Sequence, residues 1–220
     1  MKTLFKPLLV LAFAAVAFSS CMKDNSAENE AEQRQQEEAI AASLATDKTK
    51  IETYLAANPS EAPEGWQEDK TEVTLTLIGK KPLRGFWFEV LETPTEEDDE
   101  AYKYEFSGQG YKAPKVKLTY TASLLNGTEV QSEVNGDFDF ATLSNNNKIY
   151  NETWFYSFFP KSIRLDGRDI EVGGLTAKGL KKGSKIRVVA PSIWAFRSQA
   201  VEDIPANSPL VYEFEVLSIE

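Results

Sequence analysis

Apolar and polar residues alternate along much of the second half of the chain, and this pattern predicts β-strands. In residues 115–125, KVKLTYTASLL, every second position from Val116 to Tyr120 is apolar, as expected of a strand with one buried face. Asn126-Gly127 follows and favours a tight hairpin turn, because both residues tolerate a positive φ angle. Strands are predicted over residues 115–125, 128–132, within 181–191 and over 210–220.

Helical spacing occurs in two places. Apolar residues from Ile40 to Leu55 recur at helical intervals and Pro59 ends the pattern, so we predict one or two short helices between about residues 32 and 58. Residues 174–183, GLTAKGLKKG, carry glycine at both ends and predict about two turns of helix. Strands joined by hairpins, with one short helix, predict an antiparallel α+β fold.

Residues 63–113 predict a strand-rich extension that packs on the domain. Its strand-like runs are EVTLTLI over residues 72–78, GFWFEVLE over 85–92 and YKYEF over 102–106. Between the last two runs lie five consecutive acidic residues, Glu96 to Glu100. We predict a solvated charged turn there, with a calcium loop as the alternative, since the acids are not spaced as a ligand loop would need.

The N-terminus has the pattern of an export signal. A positively charged start precedes an apolar run over residues 7–18, which is too short to cross a bilayer, and Ser19-Ser20 follow it. Cys21 comes directly after this small pair, and the arrangement resembles a lipobox, in which the cysteine is acylated and the chain is cut before it. An ordinary signal peptide followed by an unmodified cysteine is the alternative.

Acylation at Cys21 predicts a lipoprotein held at a membrane by its lipid anchor. Because Met22 stands where an aspartate would favour retention in the inner membrane, we expect the outer membrane, at its periplasmic face or at the cell surface. The polar residues that follow predict a solvated tether. The expected organisation is a signal peptide over residues 1–20, a tether with short helices over 21–62, the extension over 63–113 and a folded domain over 114–220.

Composition excludes several classes of function. The chain has a formal net charge of −10, from 34 acidic and 24 basic residues, and such a surface repels phosphate backbones, so nucleic acid is not an expected partner. It contains no histidine, and its one cysteine is Cys21. Serine–histidine–aspartate triads, cysteine–histidine dyads and zinc sites built from these residues are therefore excluded. We expect neither a metal ion nor another cofactor.

Four blocks of the second half carry a recognisable pattern: VKLTYTASLLNGTEVQS over residues 116–132, GLTAKGLKKG over 174–183, APSIWAF over 190–196 and IPANSPLVYEFEVL over 204–217. In their order and spacing these blocks resemble the FKBP family of peptidyl-prolyl isomerases. The resemblance covers residues 114–220. It implies an FKBP-like antiparallel sheet wrapped around one short helix, with a helical and strand extension before it.

The resemblance also implies isomerisation of the peptide bond before proline. Amide resonance sets a barrier of roughly 20 kcal/mol to this rotation, and a dry aromatic pocket that holds the proline and favours the twisted amide lowers the barrier without proton transfer. This chemistry suits a chain without histidine. The pocket residues that the resemblance implies are Tyr120, Val130, Gln131, Leu175, Trp194, Phe196, Ile204 and Tyr212.

Four of these positions depart from the family pattern. Val130 stands at a phenylalanine, Gln131 at an aspartate, Leu175 at the tryptophan that floors the pocket, and Phe196 at a tyrosine whose hydroxyl holds the ligand carbonyl. The lost hydrogen bond costs about 0.5–1.5 kcal/mol, and the smaller floor costs about 1–2 kcal/mol. We therefore expect a weakened isomerase.

Two functions remain open. One is a membrane-anchored isomerase that assists the folding of exported proteins by acting on their proline-containing segments. The other is a non-catalytic FKBP-like binding or chaperone module for an envelope protein. The segment over residues 133–168 is longer than the usual flap of the family and contains the aromatic run WFYSFF over residues 154–159. These aromatics form part of the core, refill the pocket or bind a partner.

Overall fold

The structure is a computed structural model that describes residues 26–107, 110–143 and 145–220. The signal peptide predicted over residues 1–20 and the acylation site predicted at Cys21 lie outside the described residues. The helices are α1 Ser26–Ala57, α2 Glu96–Ala101, α3 Phe140–Leu143 and α4 Glu152–Phe158, and a 3-10 turn spans Ser192–Trp194. The strands are β1 Gln67–Glu68, β2 Trp87–Glu92, β3 Phe106–Ser107, β4 Gly110–Tyr111, β5 Lys115–Leu124, β6 Glu129–Asp139, β7 Ser162–Leu165, β8 Arg168–Glu171, β9 Lys185–Ala190 and β10 Leu210–Ile219.

Six antiparallel strands form the main sheet in the order β1-β2-β9-β10-β5-β6. Phe214 of β10 lies opposite Tyr120 of β5 on one side and opposite Ile186 of β9 on the other. All three side chains are buried on the same face, as the alternation in the sequence predicts. The α+β fold with an antiparallel sheet is therefore confirmed.

Helix α4 covers this inner face of the sheet. Its side chains Trp154 and Phe158, four residues apart, are both fully buried in the main core. Full burial of a large apolar side chain stabilises a fold by about 1.5–3 kcal/mol. The aromatic run over residues 154–159 thus supplies the centre of the core.

Helix α1 covers the outer face of the sheet. Its Ile51 is buried against Val189 and Val211, beside the half-buried Tyr54 and Leu55. The expectation of one or two short helices was wrong, because α1 is one helix of 32 residues that begins within the polar segment expected to be a tether. Alanine, glutamate and glutamine dominate that segment and favour a helix even where it is exposed.

Two of the predicted strands in the extension were wrong. Residues 72–78 form a turn with isolated bridges, because the Glu37 carboxylate of α1 accepts hydrogen bonds from the backbone N–H groups of Leu77 and Ile78. Residues 102–105 form neither a helix nor a strand, and only Phe106 of this run belongs to a strand, β3. The strand predicted over residues 85–92 is present as β2.

The acidic run forms helix α2, where a charged turn was predicted. Thr95 caps it by accepting from the backbone N–H of Asp98. The Asp98 carboxylate pairs with Lys182, and the Asp99 carboxylate pairs with Lys178 and Lys181. Within the described residues no group of histidine, cysteine, aspartate or glutamate is arranged to hold a metal ion.

Residues 174–183 do not form the predicted helix. A Cβ atom at Gly174 would meet the carbonyl oxygen of Phe159 at 1.7 Å, so glycine is needed here for close approach of two backbones. Backbone N–H groups of Leu175 and Leu180 donate to the carbonyls of Tyr156 and Phe158. The segment thereby satisfies carbonyls at the C-terminal end of α4, which no helical partner can reach.

No helix in the described part of the chain is both long and apolar enough to span a membrane.

Candidate functional site

Asn151 fixes the start of α4. Its side-chain oxygen accepts from the backbone N–H of Thr153 at 3.1 Å, which caps the helix. Its amide nitrogen donates to the Tyr212 hydroxyl of β10 at 2.7 Å. The hydroxyl of Thr153 donates to the Trp194 carbonyl at 3.1 Å. These buried hydrogen bonds hold α4 to the sheet and to the turn after β9.

Trp154 lies at the centre of an aromatic cluster. Its ring centroid is 4.9 Å from Tyr120, 5.3 Å from Phe138 and 5.0 Å from Phe214. Such tilted and edge-on pairs contribute about 0.5–1.5 kcal/mol each beyond their burial. The indole N–H of Trp154 is buried and has no hydrogen-bond partner among the described residues. A buried donor without an acceptor costs free energy, so a water or ligand carbonyl that reached it would be stabilised.

The two tyrosines of the predicted pocket are protonated at physiological pH. Burial raises the pKa of Tyr120 to about 12, and the nearby carboxylates of Glu133 and Glu202 add to the shift. Burial also raises the pKa of Tyr212, which the hydrogen bond from Asn151 partly offsets. The site therefore presents neutral hydroxyls and apolar rings.

The structure brings most of the predicted pocket residues into one core but separates them within it. Tyr120 and Tyr212 lie beside Trp154 and Phe214. Trp194 packs instead against Phe86, 6.2 Å away between centroids, and Tyr156. The other predicted residues of this buried core are Leu175, Phe196 and Ile204.

The resemblance gave Leu175 as the floor of the pocket, on a short helix. It lies outside any helix, and its backbone N–H donates to the carbonyl of Tyr156, toward the C-terminal end of α4. Trp154 is the tryptophan that contacts Tyr120. The sequence contained a signal for it: Asn151 is a helix-capping residue, and Trp154 and Phe158 have helical spacing.

Val130 and Gln131 lie on β6, at the edge of the main sheet. Val130 is half-buried against the core. The side chain of Gln131 donates to the Lys148 carbonyl at 2.5 Å, while its own carbonyl oxygen is buried without a partner among the described residues. The Lys148 ammonium pairs with Glu202 at 2.9 Å. Lys148 therefore joins β6 to the loop that precedes Ile204.

The aromatic site is closed in this structure. Tyr120 is 3% exposed, and Trp154 and Tyr212 are not exposed at all. Ile149 and Tyr150, which follow Lys148, are half-buried against the same core. A ligand that reaches the Trp154 ring must therefore displace part of the protein.

Comparisons with known proteins agree on one family. Residues 109–217 match the FKBP-type peptidyl-prolyl cis-trans isomerase family. The chain is 30% identical over 130 residues to the FKBP-type peptidyl-prolyl cis-trans isomerase FkpA of Escherichia coli strain K12, which covers 56% of this chain and 47% of that protein. It is 30% identical over 118 residues to FkpA of Buchnera aphidicola subsp. Schizaphis graminum, covering 51% of this chain and 37% of that protein.

The crystal structure of FkpA from Escherichia coli aligns with a TM-score of 0.43 and 16% identity, covering 91% of this chain and 75% of that chain. The chain spans about half the length, or less, of these two curated relatives. Through residues 109–217 it belongs to the FKBP-type peptidyl-prolyl cis-trans isomerase family, which is a family of isomerases.

Proposed function

We propose that this chain catalyses cis-trans isomerisation of peptide bonds before proline, at the aromatic cluster around Trp154. The contact of the Trp154 and Tyr120 rings, 4.9 Å apart within a family-matched domain, is the observation that carries the proposal. A proline ring packed on this indole would lose its contact with water, and burial of that apolar surface supplies binding energy.

The chemistry needs no proton transfer. Rotation about the X-Pro bond removes amide resonance, and the rotated amide is less polar along its C–N bond than the planar one. An apolar site therefore favours the twisted amide relative to water. Lowering the barrier by about 5 kcal/mol would accelerate rotation roughly 4,000-fold. Neutral tyrosines and the absence of histidine from the chain agree with this mechanism.

We infer that substrate enters by movement of the segment over residues 145–150, whose Ile149 and Tyr150 pack against the core. Lys148 holds that segment through two contacts, to Gln131 and to Glu202. Both side chains of the Lys148–Glu202 pair are more than half exposed, and exposed pairs contribute little to stability. The ion pair therefore adds little to the cost of opening, most of which comes from withdrawing Ile149 and Tyr150 from the core. The closed state lowers the apparent affinity for substrate.

A non-catalytic binding module is the second candidate, and the full burial of Trp154 and Tyr212 favours it. If the aromatic site stays closed, proline cannot reach the indole. The chain would then act through its surface alone, as a chaperone or as a subunit of an envelope complex.

We also propose that the protein is an outer-membrane lipoprotein that assists the folding of exported proteins. The positively charged start, the apolar run and Cys21 support this proposal. Metabolic labelling with an alkyne fatty acid, followed by membrane fractionation, tests it against a Cys21→Ser variant. Labelling of both forms, or of neither, would contradict acylation at Cys21.

Isomerase activity is tested with an X-Pro tetrapeptide, whose unassisted isomerisation takes tens to hundreds of seconds. We expect the purified chain to accelerate it and a Tyr120→Ala variant to lose most of the acceleration. If the folded wild-type chain does not accelerate isomerisation, the isomerase proposal is refuted and the non-catalytic binding module remains.

A further inference from the structure

A buried carboxylate of α1 holds the turn that follows β9. Asp47 is 1% exposed, and its Oδ2 atom accepts from the backbone N–H of Ser192 at 2.8 Å and from the Ser192 hydroxyl at 2.5 Å. Hydrogen bonds to a charged acceptor are about twice as strong as neutral ones. One side chain of the helix on the outer face thus fixes the first residue of the turn that leads to Phe196.

The same turn is tied to the proposed active site. The Trp194 carbonyl accepts from the Thr153 hydroxyl at 3.1 Å, immediately before Trp154. The backbone N–H of Arg197 donates to the Ser192 carbonyl at 2.8 Å, closing the turn around Phe196. Phe196 is 8% exposed within the main core. Its position therefore depends on where Ser192 is held.

We propose that Asp47 is a positioning residue for the isomerase site, acting through Ser192 on the turn that carries Phe196. The proposal rests on the proposed function above. It makes α1 part of the catalytic unit, although the sequence of that segment predicts a tether. The contact between Asp47 and Ser192 is an ordinary one between a helix and a turn. It affects catalysis because a small displacement of the wall that contacts the substrate lowers the rate.

Three substitutions remove different parts of the contact between Asp47 and Ser192. Asp47→Ala removes both hydrogen bonds to Ser192 and the 3.4 Å ion pair with Lys50, and it leaves the Ser192 N–H buried without a partner. Asp47→Asn keeps the shape and one acceptor oxygen but loses the charge. Ser192→Ala removes the hydroxyl and keeps the backbone donor. If Asp47 acts through Ser192, the effects of Asp47→Ala and Ser192→Ala on activity are not additive.

Glu89 provides a matched control. It is also a fully buried carboxylate on the outer side of the sheet, where it accepts from Ser60, from the backbone N–H of Glu61 and from Arg187. These contacts do not involve the turn at Ser192. A Glu89→Gln variant therefore reports what loss of a buried carboxylate does to stability without disturbing the turn.

The test compares kcat/KM of the full chain and its variants for an X-Pro tetrapeptide, at a temperature where all are folded. We expect Asp47→Ala to lower kcat/KM about three- to tenfold, Asp47→Asn to restore part of the loss, and Glu89→Gln to retain wild-type activity. Equal activity of wild type and Asp47→Ala, or a matching loss in Glu89→Gln, would overturn the proposal.

Amide hydrogen exchange supplies a readout that does not depend on catalysis. The Arg197 N–H bonds to Ser192, and the Asn207 N–H bonds to the Arg197 carbonyl. Asp47→Ala is expected to speed exchange at both amides, while Glu89→Gln leaves them protected. An inactive wild type would refute the proposed function alone. Unchanged exchange in Asp47→Ala would refute the positioning role whether or not the chain is active.

Discussion

The side-chain amide of Asn151 donates a 2.7 Å hydrogen bond to the hydroxyl of Tyr212, and both side chains are buried. One residue caps the helix that carries Trp154, and the other lies on the central strand β10. The bond therefore sets the position of the indole relative to the sheet. A strand with a phenylalanine at position 212 would leave the helix without this polar tie.

Removing the Tyr212 hydroxyl tests this bond. Tyr212→Phe leaves the Asn151 amide buried without its acceptor and should lower the free energy of unfolding by about 1–3 kcal/mol, measured by urea denaturation. Tyr102→Phe is the matched control, because the Tyr102 hydroxyl is buried without a partner among the described residues. That variant should be neutral or more stable. Equal losses in the two variants would contradict the role of the bond.

Restoring a hydroxyl at position 196 should strengthen catalysis. In the family pattern a tyrosine stands at this position, and its hydroxyl holds the ligand carbonyl. Phe196→Tyr should raise kcat/KM about two- to tenfold, as expected of one neutral hydrogen bond. Phe106→Tyr is the control, since Phe106 packs with Tyr111 on another part of the core. A folded Phe196→Tyr variant with unchanged activity would place Phe196 outside the pocket.

Opening of the segment over residues 145–150 should depend on the Lys148–Glu202 pair. Lys148→Met removes the pair and should raise kcat/KM by a factor of about two to five, the range expected of an exposed ion pair. The wild type should gain activity as salt is added, while the variant should not. Lys117→Met, which breaks the exposed pair with Asp137, serves as control. Loss of activity in Lys148→Met would refute a closing role.

The contacts of α2 predict a pH-dependent contribution to stability. Hydrogen bonds from Lys178 and then Lys181 lower the pKa of Asp99. A lowered pKa means stability that is present above the ordinary carboxyl pKa of about 4 and is lost as the pH falls through the lowered value. Asp99→Asn should therefore have a lower Tm than wild type at neutral pH, and the gap should narrow as the pH falls below about 4. A gap independent of pH would contradict this.

The sequence predicted the sheet better than the helices. The alternation of apolar and polar residues in β5 and β10 predicted these strands, because in a strand with one buried face the apolar side chains must recur every two residues. Helix α4 was missed because the glycine-rich segment over residues 174–183 matched the helical block of the family. In the structure Gly174 serves a close approach of two backbones, and no local pattern distinguishes that use from a helix end.

Tertiary contacts account for the remaining differences. Glu37 of α1 binds the backbone of Leu77 and Ile78 and prevents the strand that EVTLTLI predicts. Tyr120, which the resemblance gave as a pocket residue, lies against Trp154 in the structure. This ring contact could not be predicted, because it joins positions 34 apart in a segment whose length departs from the family.

Isomerisation of an X-Pro tetrapeptide by the wild-type chain, Trp154→Leu and Leu175→Ala tests the central claim most directly. Both variants remove buried side chains and should reduce stability, by about 2–5 kcal/mol for Leu175→Ala. At a temperature where all three are folded, we predict acceleration by wild type and Leu175→Ala and a loss of at least about tenfold in Trp154→Leu. Wild-type acceleration that Trp154→Leu retains and Leu175→Ala loses would contradict the account and return the floor of the pocket to Leu175.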